Sequence, residues 1–169
     1  MRWIMLSVLL SMFVAGCAEG DSTDPQSDVL VSVRSALEIL QAGFDRENET
    51  LVSQSAGSRF VLGGNVSIRY SDVAFSGSGQ AAMRSFFGGA FDTLANVEQE
   101  LEIREVNVIG DVAIAQVDTT FTALRLDRTP AENIIFSGVD YMLFEREAGG
   151  WRLMRWDDNA SNVPTPDDG

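Results

Sequence analysis

Apolar residues fall at Leu30, Val33, Leu37, Leu40 and Phe44, a 3-4-3-4 spacing that predicts an amphipathic helix beginning near Ser27. Asp45-Arg46-Glu47-Asn48 reads as a break, and a second short helix through Leu51 and Val52 is expected to end at Gly57. Residues 59–76 carry β-branched and aromatic side chains around Gly63-Gly64-Asn65, which predicts one or two short strands with a turn. After Ser76-Gly77-Ser78-Gly79 a third helical stripe runs through Met83, Phe86, Phe87, Ala90, Phe91 and Leu94. Gly88-Gly89 inside it costs roughly 1 kcal/mol per glycine relative to Ala, which suggests a close backbone approach there.

From Val97 the period becomes two. Glu98, Glu100 and Glu102 alternate with Val97, Gln99, Leu101 and Ile103, and Val106 and Val108 then take the even register. A bulge near Arg104-Glu105 accounts for the change. Gly110-Asp111 makes a turn, 112–124 a long strand, 126–134 an exposed loop, and 136–147 another strand. Ala148-Gly149-Gly150 makes a hairpin leading to a last strand over 151–158. Helices first, then an antiparallel meander of long strands, is the α+β pattern.

Composition narrows the chemistry. The chain has 169 residues, no His and one Cys. The usual neutral-pH base and the imidazole ligand of most transition-metal sites are therefore missing, as are an internal disulfide and a thiolate cage. All 12 basic residues are Arg, which removes Schiff-base and P-loop lysine chemistry. A formal charge of -13 opposes nucleic acid as a partner. No cofactor and no metal motif is predicted.

The N-terminus carries the most specific signal. Arg2 precedes an apolar run from Trp3 to Ala15, too short for the roughly 20 residues of a membrane-spanning helix but suited to a secretory signal. Val14-Ala15-Gly16-Cys17 resembles the bacterial lipobox, in which cleavage precedes a Cys that is then lipidated. The alternative is an ordinary signal peptide in which Cys17 is only a small apolar residue. The expected organisation is a lipoprotein signal over 1–16, lipidated Cys17 with a flexible tether over 17–27, one domain over 28–160, and a disordered tail over 161–169. Ala18, where Asp would retain the protein in the inner membrane, favours the outer membrane facing the periplasm by resemblance to Gram-negative sorting rules.

GDVAIA (110–115), the sequence GVDYMLFERE (138–147) and the closing GGWRLMRW (149–156) resemble the NTF2-like superfamily, in particular its SnoaL-like and DUF4440-type single domains. The resemblance covers about residues 28–160. It implies a cone, a curved antiparallel sheet of four to six strands wrapped around about three N-terminal helices, with a pocket at the open end. Homodimers through the sheet face are common in that superfamily. It implies no single reaction, because the same cone hosts isomerases, dehydratases, oligomerisation modules and binders.

Buried carboxylates must be paired or functional, so polar residues in apolar strands are the places to look. Asp118 lies between Val117 and Thr119, Asp140 between Val139 and Tyr141, and Trp156 closes the last strand. Tyr70 offers a phenol from earlier in the chain. Tyr70, Asp118, Asp140 and Trp156 are the candidate pocket residues, and no residue is singled out as catalytic. An isomerase needs a carboxylate base and a Tyr or protonated Asp to hold the enolate. Asp140 and Tyr141 are adjacent on a strand and face opposite sides. The competing expectation for Asp140 is a carboxylate satisfied by an Arg such as Arg155. Phe86, Phe87, Phe91 and Trp151 read as core, and the Glu98/Glu100/Glu102 row as a solvated face. The function expected is non-catalytic: binding of a small apolar or amphipathic molecule, homodimerisation, or both. An isomerase or hydratase and an envelope scaffold are the alternatives.

Overall fold

The computed structural model describes residues 25–163, so the predicted signal peptide, Cys17, most of the tether and the last six residues lie outside it. The first helix, α1 (Pro25–Asp45), buries Val33, Leu37, Leu40 and Phe44 as its apolar stripe requires. Gly43 lies inside α1, where a Cβ would sit 2.6 Å from a Val52 methyl. The bare backbone there lets α2 (Glu49–Ser53) fold back against α1. Asn48 caps α2 by accepting the Leu51 amide at 2.9 Å, so the predicted break is also a helix start.

Next come β1 (Ala56–Leu62), α3 (Gly64–Tyr70) and α4 (Gly79–Phe91). The segment after Gly63 corrects the strand reading: Val66 and Tyr70 are one helical turn apart and both fully buried, so NVSIRY winds as a helix despite its β-branched content. Gly88 and Gly89 also depart from expectation. A Cβ at Gly88 would make only an ordinary 3.6 Å contact with Glu49, and one at Gly89 would meet nothing.

Four strands complete the domain: β2 (Leu94–Ile109), β3 (Val112–Arg125), β4 (Glu132–Glu147) and β5 (Gly150–Asp157). They form a curved, open sheet in the order β1-β5-β4-β3-β2 with the helices packed against it. The meander pairs antiparallel, and the β2–β3 register shifts between Ile103 and Glu105, at the predicted bulge. At the other edge β1 runs parallel to β5, so the sheet is mixed rather than wholly antiparallel. Among the described residues the helices number four rather than three.

Strand parity decides which side chains face the helices. Along β3, Ala113, Ala115, Val117, Thr119, Phe121 and Ala123 are buried, and every intervening residue is partly exposed. Order persists past the expected domain end: Ala160–Asn162 form a 3-10 turn and Val163 is buried. Among the described residues, no helix is long and apolar enough to cross a membrane.

Candidate functional site

The concave side of the sheet holds a buried charge cluster around Asp140. Asp140 on β4 is in register with Val117 and is fully buried. One guanidinium nitrogen of Arg69, from α3, donates to both its oxygens at 2.8 and 2.9 Å. Thr119 Oγ1 donates to Oδ2 at 2.9 Å, and the Trp156 indole nitrogen donates to the same oxygen at 2.7 Å. Arg69 stacks 3.6 Å over the Phe136 ring, and its other terminal nitrogen faces Asp158 at 3.6 Å. Burial pushes the Asp140 carboxyl above its ordinary range, opposed by the Arg69 charge and by the bonds from Trp156, Arg69 and Thr119.

Tyr70, next to Arg69 on α3, points into the aromatic core. Its ring centroid is 4.7 Å from that of Phe121, 5.3 Å from Phe44 and 5.9 Å from Trp156. Its hydroxyl donates to Gln99 Oε1 at 2.9 Å, and Gln99 in turn donates to the Thr120 carbonyl. Burial raises the phenol pKa well above its usual value, and the nearby Asp140 charge adds to the rise. The phenol is a neutral donor at physiological pH.

Of the four candidate positions, the structure brings Asp140 and Trp156 into contact and packs Tyr70 edge-on against Trp156. Asp118 sits apart. It faces the convex side, where Arg104 Nη2 and Nε reach its two oxygens at 2.6 and 3.2 Å. The parity of β3 carries that signal: Val117 and Thr119 point inward, so the residue between them cannot. The partner of Asp140 is Arg69, not Arg155, which instead bonds Asp157 at 3.0 Å. Arg69 and Thr119 are the members of the cluster that the sequence reading missed. Once 64–70 is a helix, Arg69 shares the inward face with Val66 and Tyr70.

Surface grooves of about 200–710 Å³ mark the exterior, and none of the five is lined by Asp140, Tyr70 or Trp156. The space under the sheet at this point is filled by Phe44, Tyr70, Phe87, Phe121 and Trp156, all fully buried. Among the described residues no group of three or more potential ligands is placed to hold a metal ion.

No family model matches the chain, and no curated protein does. Solved structures do. An NTF2-like superfamily protein from Salmonella enterica serovar Typhimurium superposes with a TM-score of 0.61 at 18% identity, over 85% of this chain and 99% of that one. The fold is NTF2-like. A ketosteroid isomerase-like protein from Erwinia carotovora atroseptica gives a TM-score of 0.58 at 19% identity, over 75% of this chain and 92% of the other. A proposed aromatic ring hydroxylase from Novosphingobium aromaticivorans gives 0.64 at 16%, over 78% and 87%. At these identities the NTF2-like likeness concerns architecture alone, and the chemistry rests on the side chains described above.

Proposed function

We propose that this chain is a non-catalytic envelope module, a single NTF2-like domain held on the membrane by a lipidated Cys17 and working through its surface as a homodimer. The observation that carries the reading is the closure of Asp140. A proton shuttle needs a carboxylate open to substrate and a donor poised across from it. Here Oδ2 already accepts three hydrogen bonds and the residue is fully buried. The one phenol in the same core is committed to Gln99. Without His or Lys, neither an imidazole nor an amine is present to act as a second base.

The anchor is supported by Val14-Ala15-Gly16-Cys17, and Ala18 favours the outer membrane with the domain in the periplasm. Several acyl chains at about 0.8 kcal/mol per buried CH₂ hold such a protein without a spanning helix. The test of the reading has two parts. The purified protein sediments as a dimer, and a β,γ-unsaturated ketone incubated with it isomerises no faster than in buffer. Turnover that disappears in Asp140→Asn would establish the isomerase instead.

A second reading keeps a small amphipathic ligand. Its support is the groove of about 200 Å³ between residues 71–76 and α4, where Ser71, Ser76 and Ser85 surround Phe86. Native mass spectrometry of protein from its own host detects such a ligand as added mass.

A further inference from the structure

The two ends of the sheet differ in charge, and the chain enters at one of them. Asp45 and Glu47 border the groove along residues 96–100 of β2, while Gln41, one turn earlier on α1, also borders the groove along 100–104. The helix therefore runs antiparallel to β2 and carries Pro25, about 30 Å back along its axis, toward Ile109. The turns Gly110–Asp111 and Ala148–Gly149 lie at that end. Loop 126–131 lies at the other, because Leu94 pairs with Arg125 and Arg125 with Glu132.

Exposed apolar side chains do not distinguish the ends, since Val31 and Ile109 stand at one and Leu126 and Ile135 at the other. Charge does. At the loop end Arg125 and Arg128 are taken up by Asp72. Asp45, Asp92, Glu98, Asp127 and Glu132 are exposed there, with Arg46 the remaining cation. At the turn end each acid has its own arginine. Arg59 bonds Glu145 at 2.5 Å, Arg152 lies beside Glu147, and Asp28 and Arg34 on α1 cancel. Arg146 holds Asp111 only at 4.0 Å, and its side chain is 67% exposed. Its planar fork is suited to a phosphate.

We infer that the end bearing the turns Gly110–Asp111 and Ala148–Gly149 is the surface this domain presents to the phosphate headgroups of an anionic bilayer, with loop 126–131 directed away. The inference rests on the lipid anchor proposed above and adds how the domain stands on it. Covalent reach excludes the inverted pose. The steps from Cys17 to Pro25 cover at most about 29 Å, whereas the 16 residues of β2 separate the two ends by about 50 Å. Between standing upright and lying flat, charge decides. Lying flat brings the unpaired acids within a Debye length of like-charged lipid, and standing upright brings only paired charges and Arg146.

Fluorescence quenching of the full lipidated chain on vesicles tests it. Ala148→Cys and Ala131→Cys are both exposed and both leave the charge unchanged, and each carries a thiol-linked fluorophore at one end. In phosphatidylglycerol vesicles with a nitroxide on the headgroup, the label at 148 loses its emission and the label at 131 keeps it. Salt at 1 M, or Arg146→Glu, reduces the quenching at 148 while the protein stays on the vesicles. Equal quenching of the two labels, stronger quenching at 131, or a difference indifferent to both salt and Arg146→Glu overturns the inference while leaving the anchor. A chain that does not sediment with the vesicles at all removes the anchor reading and this orientation with it.

Discussion

Trp156 on β5 donates its indole N–H to Asp140 on β4 at 2.7 Å, across the neighbouring pair Met142 and Trp156. The bond ties the most buried carboxylate of the domain to its largest buried side chain. With Arg69 and Thr119 it makes a hydrogen-bonded polar knot inside an apolar cone, in which Arg69 Nη2 is buried without a hydrogen bond, and stability is where its removal tells most.

Replacing Asp140 with Leu leaves the buried Arg69 guanidinium without its two short bonds and with only Asp158 at 3.6 Å as counter-charge. The expected loss is about 3–5 kcal/mol in urea unfolding. Arg69→Met alone costs a similar amount. The double variant, with both charges gone, loses far less than the sum of the two, and a double-mutant cycle reads that difference directly. Additive losses would mean that the two side chains act independently.

Tyr70→Phe removes the donor to Gln99 Oε1 while keeping the ring stack. Unfolding free energy falls by about 1–2 kcal/mol, the penalty of one unsatisfied buried acceptor. An unchanged stability would show that Gln99 finds another donor.

Acid acts on the two buried carboxylates with opposite signs. Burial raises the Asp157 carboxyl, but bonds from Arg155, Asn162 and the backbone outweigh it and hold the pKa below its ordinary 3.8. Its contribution is present at neutral pH and is lost as pH falls from the unfolded value through the lower folded one. Asp140 has a raised folded pKa, so its contribution is present below the unfolded value and is lost as pH rises through the folded one. Urea midpoints between pH 7 and pH 3 check this. Asp157→Asn flattens the acid-side decline, and Asp140→Asn steepens it.

The Arg104–Asp118 pair is about half exposed on both sides. Asp118→Asn therefore costs less than about 1 kcal/mol in thermal unfolding. A larger loss would place Asp118 in a network that its convex position does not provide.

Cys17→Ser tests the anchor independently of the fold. The wild-type chain partitions with membranes and the variant into the soluble fraction. A variant that stayed in the membrane fraction would refute lipidation as the anchor.

The strands from Val97 onward are legible because each buries one face, so period two, the bulge at Ile103–Glu105 and both hairpins appear directly in the residue order. The segment 64–70 is not, since a seven-residue stretch rich in β-branched residues has no length over which helical periodicity can outweigh β propensity. The mistake about the partner of Asp140 follows from that one. Arg155 is close in sequence and on the paired strand, whereas Arg69 lies 71 residues away and points inward only when its segment is helical. Likewise the parallel pairing of β1 with β5 depends on a long-range return that strand pattern alone does not specify.

The most direct measurement of the closed cone is the indole N–H signal of Trp156 in a ¹H–¹⁵N spectrum, assigned by comparison with Trp156→Phe. The account predicts a signal that exchanges slowly with deuterated solvent and stays in place while steroids, fatty acids and other apolar ligands are titrated to saturation. A saturable shift of that resonance by one such ligand, or exchange as fast as that of an exposed indole, would contradict it.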